Sequence, residues 1–187
     1  MTKAAQPAEI YQVKITLKDI RPAIWRRVLI PGDITLAKLH RIIQETMGWY
    51  DGHLHQFIVG ETHYGVPDPD DFSEVKNEKS VRLGQIVSRP KQRFLYEYDF
   101  GDGWEHEIVV EKILNPEPGV RYPLCPGGAR ACPPEDCGGV PGYADFLEAI
   151  RNPEHEEHEE MLEWIGGEFD PEEFDLEAVN QSLKSIR

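Results

Sequence analysis

The segment from Cys125 to Gly139 constrains the fold of this chain more strongly than any other. Its fifteen residues include three prolines, four glycines and all three cysteines of the protein. Proline lacks a backbone N–H and glycine weakens both helices and strands, so this density predicts a loop without regular structure. A long irregular loop is usually either disordered or a built site, and the cysteines favour a built site.

A second unusual segment runs from Tyr96 to His106. Its first residues read as a strand that breaks at Gly101 and Gly103 and resumes towards Glu111. Both segments are unusually rich in glycine and in side chains that can bind metal ions or transfer protons. We therefore expect them to meet in the folded protein, within about 10 Å, the diameter of a helix.

Apolar periodicity predicts the regular elements. Alternating apolar residues predict an N-terminal hairpin, and apolar residues at helical spacing predict a helix from Leu36 to Met47 that ends at Gly48. The polar stretch from Asp68 to Lys79 predicts a loop. Further strands are predicted over 53–60, 94–99 and 105–114, and further helices over 143–150, 157–165 and 176–186. This order predicts an α+β fold, with an antiparallel or mixed sheet packed on one main helix.

Length and cysteine content indicate the class of protein. A chain of 187 residues suits a single domain over 1–187, and we expect the small polar residues 1–9 to be flexible. An odd number of cysteines fits a reducing compartment better than a disulfide scaffold. No long apolar run is present, so we expect no membrane association and a cytoplasmic location.

The net charge of −14 comes almost entirely from the C-terminal region. Residues 154–177 hold twelve acidic residues and no Lys or Arg, whereas the rest of the chain has 22 acidic and 20 basic residues. We interpret 154–187 as an acidic helical extension that keeps the protein soluble; a surface for a basic partner is the alternative. Because its helices carry few apolar residues, we expect the sheet to fold without 154–177.

The cysteines, in the spacing C-x6-C-x4-C, are candidate metal ligands. Thiolates bind Zn²⁺ tetrahedrally, and a histidine could complete the shell. The spacing lacks the close C-x2-C pair of many zinc sites, so the alternative is that the cysteines pack as small apolar residues. The predicted ligands are Cys125, Cys132, Cys137 and His106, with His53 and His55 as other candidate histidines.

Acidic side chains and a histidine surround the glycine break. Such a set could hold a divalent cation in a metal-dependent hydrolase of phosphoesters. The alternative is a tight turn, in which aspartates accept backbone N–H bonds and the glycines take positive φ. The candidate catalytic residues are Asp99, Asp102, Glu105 and His106.

Basic and aromatic residues gather near the N-terminal hairpin and the first helix. Together they could bind phosphates and stack bases, but the net negative charge and the alternation of Arg26 with Arg27 argue against one strongly basic face. These residues are Arg21, Arg26, Arg27, Lys38 and Arg41, with Trp25 and Trp49.

Five stretches of the chain resemble the plasmid pRiA4b ORF-3-like family. The resemblance implies a compact α+β domain, often associated with plasmids or transposons, and implies no particular activity. The stretches are Arg21–Arg27, Met47–Trp49, His53–Phe57, Tyr98–His106 and Cys132–Gly139.

We therefore favour a non-catalytic binding module for an unknown protein partner over the hydrolase. Nucleic acid is a less favoured ligand, and zinc is the only cofactor that the residues suggest. The candidate binding surface is Trp104, Glu135, Asp136 and Arg26.

Overall fold

The computed structural model describes residues 8–68 and 74–186 and contains one eight-stranded sheet. Its order is β5-β4-β3-β6-β7-β1-β2-β8, and all neighbours are antiparallel except β4 and β5. The strands are β1 Ile10–Leu17, β2 Trp25–Pro31, β3 His55–Val59, β4 Thr62–Gly65, β5 Val75–Asn77, β6 Arg93–Tyr98, β7 Trp104–Leu114 and β8 Leu124–Ala129. The α+β prediction with a mixed sheet is confirmed.

Five α-helices and one 3₁₀ turn accompany this sheet in the described residues. Among the described residues, no helix is both long and apolar enough to cross a membrane. The helices are α1 Leu36–Met47, α2 Leu83–Ile86, α3 Gly139–Arg151, α4 His158–Ile165 and α5 Leu176–Leu183, and the 3₁₀ turn is Glu78–Ser80.

Helix α1 has the predicted bounds because the sequence caps it at both ends. The Thr35 hydroxyl accepts a hydrogen bond from the Lys38 N–H, and Gly48 ends the helix in a left-handed conformation with φ 92°. The apolar stripe of α1 lies fully buried against one face of the sheet, which makes this interface the main core. Its buried apolar residues are Leu36, Leu39, Ile42, Ile43 and Met47.

Two predicted loops contain strands. The prediction that Cys125–Gly139 lacks regular structure is wrong at its start, because β8 pairs with β2 at the edge of the sheet. An edge strand tolerates Pro126, whose missing N–H would be needed only in a central strand. The predicted loop Asp68–Lys79 contains β5 and enters the 3₁₀ turn, while its residues 69–73 lie outside the described residues, as do 1–7 of the N-terminal stretch.

The acidic C-terminal region packs on the sheet. In α5, Leu183 is buried in the core, and the Asn180 side chain exchanges two hydrogen bonds with the backbone of Cys125, at 2.9 and 2.8 Å. The Asn180 amide therefore pairs with the backbone N–H and carbonyl groups on the outer edge of β8, as a neighbouring strand would. Ile186 also joins the core, and Phe174 stacks on the Arg26 guanidinium. The region therefore packs on the folded body and contributes to the core, while folding of the sheet without 154–177 stays a prediction.

This packing predicts unequal effects of two substitutions in α5. Leu183→Ala should lower the free energy of unfolding by about 2–5 kcal/mol, because it opens a cavity in the core. Leu176→Ala, at a side chain that is 37% exposed, should change it by at most about 1 kcal/mol. Urea unfolding of both variants provides the comparison; equal small effects would show that α5 is dispensable for the sheet.

Candidate functional site

The two unusual segments meet, as predicted. The Gly138 N–H donates a hydrogen bond to the Asp102 carboxylate at 3.2 Å. Gly139 lies so close to Asp102 that a Cβ there would stand 2.4 Å from the Asp102 carbonyl oxygen. Gly139 also has φ +70°, so the backbone contact and the conformation both require glycine at the start of α3.

Asp99 shapes the turn between β6 and β7. Its Oδ1 accepts hydrogen bonds from the backbone N–H groups of Gly101, at 2.9 Å, and Asp102, at 3.3 Å. The backbone N–H of Asp99 itself donates to the Leu54 carbonyl oxygen at 2.8 Å. The predicted turn chemistry is thus present, and it leaves Oδ2 of Asp99 free to face the neighbouring loop.

Glu135 anchors the Cys125–Gly139 segment to the sheet. Its Oε1 accepts hydrogen bonds from the Tyr50 N–H, at 2.7 Å, and the Tyr98 hydroxyl, at 2.9 Å. Burial and then the bond to Glu135 raise the pKa of Tyr98, so the phenol stays protonated and donates. The Trp49 Nε1–H donates to the Pro133 carbonyl oxygen at 3.0 Å and makes a second attachment.

His53 lies between three carboxylates. Its Nε2 is 3.1 Å from Asp136 Oδ1 and 3.8 Å from Glu135 Oε2, and its Nδ1 is 3.6 Å from Asp99 Oδ2. The oxygens of Asp99 and Glu135 that face His53 are those left free by the anchoring hydrogen bonds. We call these four residues the His53 junction.

Two of the four residues of the His53 junction, and one residue near it, have left-handed backbone conformations. Asp99 has φ 56° and Asp136 has φ 59°, and Asp51, two residues before His53, has φ 57°. Such conformations are uncommon for residues other than glycine, although aspartate tolerates them best. The backbone thus holds these side chains in place at some cost in conformational energy.

The structure does not bring the four candidate catalytic residues together. Asp99 and Asp102 bind backbone N–H groups, while Glu105 pairs with Lys18. His106 points to the opposite face of β7 and is completely buried, and burial lowers its pKa to about 4. Only Asp99 of this set lies at the His53 junction.

The cysteines are thiols at neutral pH. Burial raises the pKa of Cys125 and Cys132, and raises the pKa of Cys137 to about 12. In the part of the chain that the structure describes, two groups place three ligand atoms within 4.8 Å of one another, and neither contains a cysteine. Zinc binding by the cysteines and His106 therefore stays a prediction. The two groups are His53, Asp99 and Asp136, and His40, Asp51 and His55.

Two residues of the predicted binding surface lie in the interior. Trp104 and Arg26 are 1% and 2% exposed, so neither can contact a partner, whereas Glu135 and Asp136 belong to the His53 junction. Alternation along β7 and β2 points both side chains into the core. The Arg26 guanidinium donates to the carbonyl oxygens of Thr46 and Ala129, at 2.7 and 2.9 Å, while Arg27 pairs with Glu111 on the other face. The basic residues therefore do not form one surface.

Several residues around the His53 junction carry no distinctive signal in the sequence. Tyr98 has an ordinary place in the alternation of β6, and its role depends on a contact with Glu135, 37 residues later. Three apolar residues around the junction are exposed, which the patterns gave no reason to expect: Tyr50, Leu54 and Phe100. The loop position of Tyr50, directly after an apolar helix, is the only local signal.

A family model described as plasmid pRiA4b ORF-3-like protein matches residues 9–178. The chain belongs to the plasmid pRiA4b ORF-3-like family. The predicted resemblance is thereby confirmed over nearly the whole chain, including every residue of the His53 junction.

Two relatives match this pRiA4b ORF-3-like chain over most of its length. It is 35% identical over 181 residues to the uncharacterized protein y4hQ of Sinorhizobium fredii, covering 96% of this chain and 93% of the relative. It is also similar to the crystal structure of the protein of unknown function MM3350 from Methanosarcina mazei Go1, with 40% identity and a TM-score of 0.83. That match covers 90% of this chain and 96% of the other.

The buried His106 predicts that acid destabilises this pRiA4b ORF-3-like protein. Its pKa is about 4 in the folded state and about 6.5 when unfolded, so between these values the unfolded chain binds the proton and the folded chain does not. The stability that the neutral, buried His106 contributes is fully present above pH 6.5. Lowering the pH from 7 to 5 should therefore reduce the free energy of unfolding by about 2 kcal/mol.

Urea unfolding at the two pH values, for the wild type and His106→Gln, isolates this contribution. The carboxylates titrate in both proteins, so the wild type should lose more stability than the variant. An equal loss in both proteins would show that His106 is not kept neutral by burial.

Proposed function

We propose that this protein is a non-catalytic binding module, and that the His53 junction receives a basic, partly apolar segment of a protein partner. The main observation in support is that the carboxylates of the junction have no Lys or Arg partner among the described residues. Asp99, Glu135 and Asp136 make no ion pair with a Lys or Arg among the described residues, and the only basic side chain within 4 Å of them there is that of His53. A cationic side chain from a partner would supply the missing positive charge.

Exposed apolar side chains beside the junction support a protein ligand. Tyr50 is 87% exposed, Leu54 67% and Phe100 50%, and each directly adjoins a residue that forms or borders the junction. Aromatic faces next to carboxylates suit Lys and Arg, whose cations interact with the ring and whose stems cover apolar surface. Leu54 and Phe100 also line a cavity of about 830 Å³ that could take an apolar side chain of the same segment.

The placement of the candidate catalytic residues supports binding over catalysis. A general acid or base must reach its substrate, and His106, the strongest candidate in the turn, is buried. The link to plasmids or transposons and the cytoplasmic location stay predictions, because no contact of the junction bears on them.

A displayed library of random peptides, selected on the full-length protein, tests the proposal. Selected peptides should carry Lys or Arg next to aromatic or aliphatic residues. Their affinity, measured by calorimetry, should fall at least about tenfold, or about 1.4 kcal/mol, in both Asp136→Asn and Phe100→Ser. The matched control variants are Glu148→Gln and Leu114→Ser, at exposed positions outside the junction. They should leave the affinity for the selected peptides unchanged.

Two results would contradict the proposal. One is a selection that yields no binding peptide, and the other is peptides whose affinity the junction variants do not change. The hydrolase is the alternative, supported by the three potential ligands His53, Asp99 and Asp136. Hydrolysis of a chromogenic phosphodiester with Mg²⁺ or Mn²⁺, lost in Asp99→Asn, would favour it over the binding module.

A further inference from the structure

A second group of ionisable residues lies between α1 and β3, apart from the His53 junction. The rings of His40 and His55 are stacked, with centroids 3.4 Å apart and planes 3° from parallel. His40 is 4% exposed, and the His55 side chain is 8% exposed. The stack places two imidazoles, which bind metal ions through a ring nitrogen, side by side in the interior.

Each imidazole faces a carboxylate. His40 Nε2 lies 2.7 Å from Asp51 Oδ1, and His55 Nε2 lies 2.7 Å from Glu78 Oε2. Glu78 is only 3% exposed, and a buried carboxylate needs a positive partner. Three of these side chains, those of His40, His55 and Glu78, are buried, while Asp51 lies at the surface end of the group, and we call the four residues the His40 cluster.

The surroundings of His40 resemble the outer shell of a metal site. Its Nδ1 is 2.8 Å from the Tyr96 hydroxyl, which also accepts a hydrogen bond from Gln44 Nε2 at 3.0 Å. Gln44 Oε1 in turn accepts the Asp51 N–H at 2.9 Å. A histidine that binds a metal through Nε2 needs such a partner for Nδ1–H, which fixes the tautomer and the ring. The same network holds the backbone of Asp51.

We propose that the His40 cluster binds a divalent transition-metal ion of the Zn²⁺ type, with His40, His55 and Asp51 as ligands and Glu78 completing the shell. The first three offer ligand atoms that all lie within 4.8 Å of one another. Imidazole nitrogens select Zn²⁺ and its neighbours over Mg²⁺ and Ca²⁺, which prefer oxygen ligands.

Binding requires a local rearrangement, because Glu78 lies outside the group of three residues whose ligand atoms are within 4.8 Å of one another. Ligands on a tetrahedral ion with bonds of about 2.1 Å lie about 3.4 Å apart, so each carboxylate must move away from its histidine by less than about 1 Å. The two rings must also tilt out of their parallel stack for both Nε2 lone pairs to reach one ion. Four protein ligands would close the site, so the ion would stabilise the fold and would not activate water.

Such an ion would connect three parts of the structure. It would join α1 through His40, β3 through His55 and the 3₁₀ turn through Glu78. Asp51 lies in the loop between α1 and β3 that carries His53 and Leu54, so the ion would also fix that loop. The proposal does not depend on the proposed binding function, and it differs from zinc binding by the cysteines.

Titration of the full-length protein with Co²⁺ and Zn²⁺, after removal of metal by a chelator, tests the proposal. Calorimetry should give about one ion per chain, and the Co²⁺ form should show visible d–d bands without a thiolate charge-transfer band. His40→Gln and His55→Gln should each weaken binding at least about 100-fold. Asp51→Asn, at a half-exposed loop position that does not threaten the core, should also weaken it.

Matched controls separate this site from the others. His63→Gln, His53→Gln and Cys132→Ser should bind one ion with affinity within about threefold of the wild type, because their side chains lie outside the His40 cluster. Absence of binding to the wild type would overturn the proposal. Binding lost in His53→Gln or Cys132→Ser, but kept in His40→Gln and Asp51→Asn, would overturn it as well and would assign the ion to the His53 junction or the cysteines.

Discussion

The hydrogen bonds of the Glu135 carboxylate hold the candidate site together. The Tyr98 hydroxyl and the Tyr50 N–H, together with the Trp49–Pro133 bond and the glycine contacts at Asp102, attach the Cys132–Gly139 part of the segment next to the turn between β6 and β7. The bonds from Tyr98 and Tyr50 both use one oxygen of Glu135, and the other oxygen is thereby directed at His53. A single side chain thus attaches the loop and contributes charge to the junction.

The interior of the protein contains a buried cationic side chain beside its apolar residues, and the C-terminal region covers that side chain. Arg26 is buried without a carboxylate within ion-pair distance among the described residues, and backbone carbonyls and the ring of Phe174 surround it instead. Phe174 belongs to the acidic C-terminal region, so this region covers both a buried cation and the edge of β8. Its acidic side chains stay in solvent while its apolar residues complete the core.

Local patterns predicted the elements whose residues repeat with a clear period. The bounds of α1 and the central strands followed from alternation, helical spacing and caps, and the meeting of the two unusual segments followed from their composition. The edge strand β8 was missed because its proline and glycines read as a loop, although an edge tolerates them. Trp104 and Arg26 were placed on the surface because their residue types suggested contacts, whereas the alternation of their strands directs them inward. The helical spacing of α1 gives no signal for a buried His40, because only its packing against His55 shows why a histidine is buried there.

A double-mutant cycle between Tyr98 and Glu135 tests most directly whether this contact organises the site. Tyr98→Phe removes the hydroxyl, Glu135→Ala removes both acceptor oxygens, and the cycle cancels what each change does elsewhere, including loss of the Gly52 N–H bond to Tyr98. The structure predicts a coupling energy of about 1–2 kcal/mol from urea unfolding of the four proteins, as expected for a buried hydrogen bond to a carboxylate. A coupling indistinguishable from zero would contradict the account, because it would mean that the loop is held on the sheet without this bond.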